Sequence, residues 1–341
     1  MKSIDLQSEL RPAWRKVLAQ DILGSSDPVR ISSFVRGVCS TLEIHRFECV
    51  GFEISVGAVF LIESELGGRV VLKVMSPDVG IDDAIARYRY QLYLKAADFP
   101  CPEPLVEPME CEGLVVVAEE HLVTGEPANS HKLEDRTLMA HGLSEIVERS
   151  SGYDSLLSFP DNTLVHVVGQ LWPKPHNVLF DFERNPKRAK WIDDIGLENK
   201  PDWENSVSRH LIGHLDWSAK HCRISKGKLS AVYDWDSTAR VPETRTIGVA
   251  ASSFVYTNDN SGGKQTPSLY ELASFLELYE NARGVSLTKQ ELKEITQNIY
   301  YSAAYAARCE DANDYGTPGT THAARRFLES ICESDLYRFI V

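Results

Sequence analysis

The stretch from Leu211 to Asp236, LIGHLDWSAKHCRISKGKLSAVYDWD, constrains the fold of this chain more than any other. An apolar lead runs into Asp216, and a second short apolar run, Leu229 to Tyr233, ends at Asp234. The second run is too short for a helix and is bounded by a basic, glycine-containing break and by acids. The pattern predicts a strand, a loop and a second strand, folded as a hairpin that brings the two carboxylates together.

Two carboxylates that converge at strand ends suit metal-assisted phosphoryl transfer. One acid would accept the proton of an attacking hydroxyl, and the other would hold the metal ion that bridges the nucleotide phosphates. Asp234-x-Asp236 also has the form of a nucleotide-sugar metal motif, so a glycosyltransferase is an alternative. That alternative would need a parallel α/β fold before the motif, whereas the preceding residues predict antiparallel strands.

The same stretch resembles the catalytic segment of the small-molecule kinases that share the protein-kinase fold, the aminoglycoside phosphotransferase and choline kinase group. Their pattern is His-x-Asp, a spacer, an Asn, and then a hydrophobic strand that ends in an Asp often followed by Trp. His214-Leu215-Asp216 and Asp234-Trp235 match this pattern. The resemblance implies that Asp216 orients or deprotonates the acceptor hydroxyl and that Asp234 ligates the metal ion. His221 stands where the family has the Asn that ligates metal. The ring of His214 is predicted to hold the loop by hydrogen bonds rather than to act as a base.

The resemblance implies a two-lobed α+β fold, with a small antiparallel sheet in the N-lobe and a mainly helical C-lobe. It places the N-lobe at residues 44–120 and the C-lobe at 121–341, after an N-terminal helical extension over residues 1–43. It also implies an ATP-dependent phosphotransferase that moves the γ-phosphate to a hydroxyl of a small molecule, with Mg²⁺ as the metal cofactor.

From Ile44 the sequence changes to short β-rich runs separated by Gly51 to Gly57 and by Gly67-Gly68, which predicts a meander of antiparallel strands. The run GFEISVG has the position of a phosphate-covering loop between the first two strands. Its glycines, Gly51 and Gly57, match no strict fingerprint, so an ordinary turn is the alternative. The resemblance assigns both glycines to nucleotide binding.

Lys73 is an isolated charge in an otherwise apolar strand, VVLKV. Such a lysine either turns to solvent or is held for an anion, because buried lysines are rare unless paired. Its position resembles that of the phosphate-binding lysine of kinase-like proteins, which a Glu on the following helix pairs with. The helix predicted from Ile81 to Ala97 offers no such Glu, so the partner of Lys73 is unassigned. Glu119 and Glu120 are predicted to be plain strand-end acids.

A second segment imitates the end of the catalytic pattern. WPKPHNVLFDFE includes the run from His176 to Asp181, but Trp172 stands five residues before Asn177, where the pattern needs its acid. No proton acceptor is therefore expected there. We interpret residues 150–205, which are rich in Pro, Asn and Asp, as an insertion that packs on the C-lobe.

His221 raises the question of which metal the site takes. The resemblance assigns the metal to Asp234 and His221, yet Mg²⁺ is a hard ion for which imidazole nitrogen is a poorer ligand than an Asn carbonyl. Either the Mg²⁺ site is weak, or a water intervenes, or a softer ion such as Mn²⁺ is used. Two functions remain open: a small-molecule phosphotransferase, and a kinase-fold nucleotide-binding or regulatory protein with little activity.

Composition excludes several other classes of protein. The 36 Lys and Arg against 49 Asp and Glu, a formal charge of −13, argue against a nucleic-acid surface. No apolar run approaches the roughly 20 residues of a membrane helix, and the N-terminus has acids where a signal peptide has its apolar core, so we expect a cytoplasmic protein. The seven cysteines form no C-x-x-C pair, which indicates reduced thiols.

The phosphate acceptor is not specified by the sequence, since the family phosphorylates aminoglycosides, choline, amino acids and sugars. The excess of acids tilts the expectation towards a cationic hydroxyl compound, such as an aminoglycoside or an amino alcohol. Acids of the predicted C-terminal helices are candidates by position to bind such a cation: Glu277, Glu280, Asp311 and Asp314. A solvated helix face is the alternative for each of them.

Overall fold

The computed structural model describes residues 3–65, 68–184, 186–257, 264–313, 322–334 and 336–340. The chain divides into two compact units. Met1–Val123 with His176–Phe180 form the first, called here the sheet unit, and Thr124–Pro175 with Asp181–Val341 form the second, the helical unit. A small antiparallel sheet combined with many helices confirms the predicted α+β class. Gly67 of the predicted Gly67-Gly68 turn lies outside the described residues.

The sheet unit begins with helices. They are α1 (Leu6–Glu9), α2 (Ala13–Leu23) and α3 (Pro28–Thr41). Helix α3 begins where a cap and a proline coincide: the Asp27 carboxylate accepts the amide of Val29 at 3.0 Å, and Pro28 occupies the first helical position. Buried side chains of all these helices share one hydrophobic core with the sheet, so the N-terminal extension is part of this unit's core.

The sheet follows the helices, and its strands alternate between two faces. The elements are β1 (Phe47–Ile54), β2 (Ala58–Ser64), β3 (Arg69–Val74), α4 (Ile81–Ala96), β4 (Met109–Cys111) and β5 (Leu114–Glu120). The strand order is β1-β2-β3-β5-β4 with antiparallel pairing, which confirms the predicted meander. Leu72 and Ala118 face the main core, whereas Val115 packs with Met75 and Ala84 of α4. Lys73 and Glu119 therefore lie on the face towards α4.

The helical unit is built around one long helix. Its helices are α5 (Leu133–Ser150), α6 (Pro186–Glu198), α7 (Glu243–Ser253), α8 (Leu269–Arg283), α9 (Lys289–Ala312), α10 (Ala323–Glu333) and α11 (Leu336–Ile340). Helices α6, α7 and α10 pack on α9, and α5 packs on α8. Both α8 and α9 open with a capping box, in which Ser268 or Thr288 exchanges hydrogen bonds with a Glu in the first turn. Among the described residues, none of the helices is long and apolar enough to cross a membrane.

Short strands complete the helical unit. They are β6 (Glu126–Pro127), β7 (His210–His214), β8 (Cys222–Ser225), β9 (Lys228–Val232) and β10 (Thr238–Pro242). The predicted pairing of the two acid-bearing strands is wrong, because β7 pairs with β10 and β9 pairs with β8. Lys226 and Gly227 both have positive φ, of 51° and 69°, which suits a tight two-residue turn between β8 and β9. The tight turn therefore pairs β9 with β8, which directly precedes it. Strand β7 pairs instead with β10, which follows Asp234 in the chain.

The interpretation of residues 150–205 as an insertion on the helical part is wrong for one segment. His176–Phe180 belongs to the sheet unit, where the Leu179 side chain joins the main core and is only 4% exposed. The flanking parts stay in the helical unit, where Trp172 donates to Asp193 at 2.8 Å. An apolar residue of an irregular segment can pack into any hydrophobic core near it. The sequence alone does not specify which core Leu179 joins.

Candidate active site

His214 ties together the backbones that carry the two acids. Its Nε2 lies 2.9 Å from the carbonyl oxygen of Tyr233, and its Nδ1 accepts the amide of Asp216 at 3.2 Å. Because a carbonyl only accepts, Nε2 carries the proton, and His214 is the neutral Nε2–H tautomer. Burial lowers the pKa of His214, in keeping with a neutral ring. Both nitrogens serve the backbone, which is the structural role expected for this residue.

Aromatic packing fixes the His214 ring in place. Trp217 and Trp235 contact it edge-on, with ring centroids 5.7 and 5.4 Å away, and both indoles are almost completely buried. The Trp235 indole N–H donates to the carbonyl of Val232 at 2.9 Å. The loop that follows β7 and the end of β9 are therefore joined through one imidazole and two indoles, which leaves little freedom for the adjacent carboxylates.

Asp234 adopts a backbone conformation that few non-glycine residues take. Its φ of 70° and ψ of 48° are left-handed, and the hydroxyl of Ser237 donates to its Oδ2 at 3.0 Å. Asp tolerates this region better than most residues, although the conformation still has a cost. The unusual backbone turns the carboxylate out at the end of β9, where it faces His221.

The predicted site residues Asp216, Asp234 and His221 converge. The His221 Nε2 lies 2.9 Å from Asp216 Oδ2 and 3.5 Å from Asp234 Oδ2. The Tyr233 amide donates to the His221 carbonyl at 3.0 Å, which anchors the histidine beside the end of β9. One ring nitrogen thus faces both carboxylates, although their strands are not partners of each other.

Lys220 is a member of this cluster that sequence reasoning missed. Its Nζ lies 3.6 Å from Asp216 Oδ2. Burial lowers the pKa of Lys220, but the negative charges of Asp216 and Asp234 outweigh burial and raise it. A lysine four residues after the first acid was the available signal. Without the conformation of the loop, that signal could not be told from a solvated charge.

The cluster keeps Asp216 ionised. Burial raises the pKa of this carboxyl, but the hydrogen bond and charge of His221, with the charge of Lys220, outweigh it and hold the pKa well below its usual range. A carboxylate whose pKa is lowered is a weaker proton acceptor at neutral pH than an ordinary Asp. The environment therefore suits orientation of a hydroxyl better than full removal of its proton.

The donor set fits a divalent metal ion. One ligand atom each from Asp216, His221 and Asp234 can be chosen so that all lie within 4.8 Å of one another. Ligands that sit about 2.0–2.6 Å from a shared ion have spacings of this order. Two carboxylate oxygens and one imidazole nitrogen suit a softer ion such as Mn²⁺ better than Mg²⁺.

The structure supplies the lysine partner that the sequence left unassigned. Lys73 Nζ lies 3.1 Å from Glu119 Oε1, with side chains only 13% and 6% exposed. Lys73 is the cross-strand neighbour of Val117, and Glu119 that of Val71, so the lysine and the acid are diagonal neighbours on one face. The prediction that Glu119 is a plain strand-end acid is wrong. Finding it required the register of β3 against β5, which the sequence does not specify.

The turn between β1 and β2 is shorter than predicted. Strand β1 continues to Ile54, so Gly51 lies within it, beside a bulge, and only residues 55–57 form the turn. A Cβ on Gly57 would lie 2.6 Å from the carbonyl oxygen of Val74, the residue after Lys73. Gly57 therefore lets the turn close against the end of β3, where a larger residue would not fit.

Two of the four acids proposed for a cationic acceptor have partners within the helical unit. Glu280 accepts the amide of Leu287 at 2.6 Å. Asp311 pairs with Arg188 at 2.7 Å, and its side chain is 3% exposed. Glu277 is exposed on α8, and Asp314 lies outside the described residues. Glu280 and Asp311 therefore have structural partners within the helical unit.

Known proteins resemble this chain in structure but not in sequence. No family model and no curated protein matches it. An amicoumacin kinase in complex with AMP-PNP, Ca²⁺ and Ami superimposes with a TM-score of 0.62 at 11% identity, over 90% of this chain and 96% of that chain. An ethanolamine kinase from Plasmodium vivax superimposes with a TM-score of 0.55 at 12% identity, over 88% of this chain and 85% of that chain. A spectinomycin phosphotransferase in complex with ADP and spectinomycin superimposes with a TM-score of 0.52 at 11% identity, over 89% of this chain and 93% of that chain.

These likenesses define the fold of the chain. It is the protein-kinase-like fold of the small-molecule kinases, and the resemblance found in the sequence is confirmed at that level. Within this fold the chain is a divergent representative, with 11% or 12% of residues identical to those structures.

Proposed function

We propose that this protein is a phosphotransferase that moves the γ-phosphate of ATP to a hydroxyl group of a small molecule. The observation that carries the proposal is the convergence of Asp216, Asp234 and the His221 ring nitrogen within 4.8 Å, in a chain with the fold of small-molecule kinases. Enzymes of this chemistry act mainly by positioning and by electrostatic stabilisation, because the transition state of phosphoryl transfer is loose. The cluster offers both.

In this proposal Asp216 orients the acceptor hydroxyl, and Asp234 with His221 holds a divalent ion, Mg²⁺ or Mn²⁺. When bound, such an ion neutralises charge on the nucleotide phosphates. Lys220 adds a fixed positive charge beside Asp216, which suits the negative charge of the transferring group.

The sheet unit would supply the remaining nucleotide contacts. Lys73 contacts the α and β phosphates, and Glu119 keeps its ammonium in place. The turn that ends at Gly57 covers the phosphates, and Gly51 shapes the strand that leads into it. Lys73 and this turn are neighbours at the end of β3, which supports a joint role.

A nucleotide-binding protein with little activity is the second candidate. One observation favours it: His221 Nε2 is 2.9 Å from Asp216 Oδ2, so one oxygen of the carboxylate proposed to orient the acceptor hydroxyl already has a partner. A transfer assay decides between the two candidates. We expect the protein, with ATP and Mg²⁺ or Mn²⁺, to phosphorylate at least one member of a panel of amino alcohols, aminoglycosides and sugars. ATP binding without transfer to any acceptor, or to water, would favour the second candidate.

Nucleotide binding itself can be tested first and without an acceptor. We expect ATP to raise the melting temperature in the presence of Mg²⁺ or Mn²⁺, since a ligand that binds only the folded state stabilises it. The absence of any shift with either ion would contradict both candidates. AMP supplies a control, because it lacks the β and γ phosphates that the ion and Lys73 are proposed to contact.

Asp234→Asn is expected to weaken metal-dependent ATP binding by roughly 100-fold, since loss of a carboxylate ligand removes several kcal/mol of metal interaction. The ATP dissociation constant is measured by calorimetric titration with ATP at a fixed Mn²⁺ concentration. Asp236→Asn is the matched control, because Asp236 is not part of the convergent cluster. Equal losses in the two variants would instead support the Asp-x-Asp motif of a nucleotide-sugar enzyme.

His221→Asn is expected to shift metal preference towards Mg²⁺ by about tenfold, because an amide oxygen replaces a nitrogen ligand. The readout is the ratio of ATP affinities measured with Mg²⁺ and with Mn²⁺. His141→Asn, an exposed change on α5, provides the control. An unchanged ratio would place His221 outside the metal site and leave it only the role of a partner of Asp216.

A further inference from the structure

The segment His176–Phe180 has no role in the proposed chemistry, yet it is held firmly in the sheet unit. The chain on both sides of it belongs to the helical unit. Leu179 is buried in the main core of the sheet unit, and the rings of His176 and Phe180 pack edge to face, with centroids 5.0 Å apart. The Phe180 amide donates to the Asn177 carbonyl at 3.0 Å, which closes a tight turn that begins at Asn177 and ends at Phe180.

Asn177 uses both ends of its side-chain amide. Its Oδ1 accepts the amide of Leu179 at 2.8 Å, and its Nδ2 donates to the carbonyl of Ser55 at 3.2 Å. Because the oxygen is committed to an N–H donor, the NH₂ group must face the Ser55 carbonyl. The buried side chain of Leu179 fixes the position from which this contact is made.

Ser55 is the first residue of the turn between β1 and β2. The Ser55 amide donates to the Gly57 carbonyl at 2.9 Å, and Gly57 closes against the Val74 carbonyl at the end of β3. Val59, two residues after Gly57, is the cross-strand neighbour of Lys73. Asn177 therefore fixes the start of this turn through Ser55, and β3 fixes its end through the close approach of Gly57 to Val74.

We propose that Asn177 is a positioning residue for nucleotide binding, which acts by fixing the turn of residues 55–57 over the nucleotide phosphates. This inference rests on the proposed function, because the turn must contact ATP for its position to matter. A turn fixed before binding loses less conformational entropy when the nucleotide arrives. The segment around Asn177, which imitates the end of the catalytic pattern in the sequence, would then contribute to nucleotide binding and not to acceptor binding.

The test compares Asn177→Ala and Asn177→Asp with the parent protein and with Asn281→Ala, an exposed change on α8. The Asp variant keeps an acceptor for the Leu179 amide but sets an oxygen against the Ser55 carbonyl, so it remains informative if the Ala variant does not fold. Two quantities are measured: the ATP dissociation constant with Mn²⁺, and hydrogen exchange of the amides of residues 55–57 without nucleotide.

We expect both variants to bind ATP about 2- to 10-fold more weakly, the range that corresponds to loss of one hydrogen bond. Exchange at residues 55–57 should be faster, and Asn281→Ala should change neither quantity. Where an acceptor is known, KM for ATP should rise and kcat should stay nearly constant.

The outcomes separate the two proposals. Faster exchange with unchanged ATP affinity would overturn the role of Asn177 and leave the phosphotransferase proposal intact. Unchanged exchange and unchanged affinity would overturn the role of Asn177 as well. A parent protein that does not bind ATP with either metal ion would overturn both proposals.

Discussion

Asp216→Asn is expected to lower phosphoryl transfer by about 10²-fold or more, the usual cost of misplacing a reacting group. Asn keeps the shape of the side chain but removes the negative charge that orients the acceptor hydroxyl. ATP binding should change far less, because the proposed nucleotide contacts come from Lys73, Asp234 and the turn at Gly57. The measurement is the initial rate of product formation with ATP saturating and the best acceptor of the panel.

Folding must be checked beside that rate. The pKa of Asp216 is held below its usual range, so the ionised carboxylate stabilises the folded state above the unfolded pKa of about 4 and loses this effect as pH falls. Asp216→Asn removes that stabilisation at neutral pH, and assays belong well below the variant's melting temperature. Asp236→Asn is again the matched control. Transfer at the parental rate in Asp216→Asn would contradict the proposed mechanism.

Lys73→Met is expected to destabilise the sheet unit by about 3–5 kcal/mol, the usual cost of removing one member of a buried ion pair. The two side chains are 13% and 6% exposed, so water can compensate only in part. Because the chain divides into two compact units, its unfolding need not be a single two-state transition, and one overall transition is not a clean measure of this effect. Hydrogen exchange of the β3 and β5 amides reports the free energy of opening where the pair lies.

Two further variants test whether the loss of stability comes from the buried ion pair: a double variant that removes both charges, and a control at a more exposed ion pair. Lys73→Met with Glu119→Leu should recover most of the stability, because both charges of the buried pair are removed together. Lys95→Met removes the partner of Glu120 in the same unit, where the side chains are 32% and 38% exposed. It should cost less than about 1 kcal/mol. Equal effects of Lys73→Met and Lys95→Met would contradict a buried pair. Each Lys73 variant should also lose ATP affinity.

Some of the candidate site was readable from local pattern alone. His214, Asp216 and Asp234 stand out because polar residues at or just after the end of an apolar strand lie at a defined place, whatever the strand pairs with. The strand that carries Lys73 was found on the same grounds. Their order along the chain was enough to predict the kinase-like fold, which the solved structures confirm.

The mistakes have a common cause. The pairing of β7 with β10, the Lys73–Glu119 pair and the position of His176–Phe180 all depend on contacts between residues far apart in the chain. Such contacts are selected by the packing of a whole core and by strand register, and many alternatives satisfy the same local pattern.

The sequence by itself therefore determined the presence of two acids at strand ends, because strand and turn preferences act over a few residues. Its resemblance to the small-molecule kinases implied the class of fold and made His221 stand out against the family pattern. Only the tertiary structure decided that one nitrogen of His221 faces both carboxylates, that Glu119 is the partner of Lys73 and that Asn177 holds the turn at Ser55. Each of these is a contact of 3.5 Å or less between separate elements, which only the folded chain brings within reach.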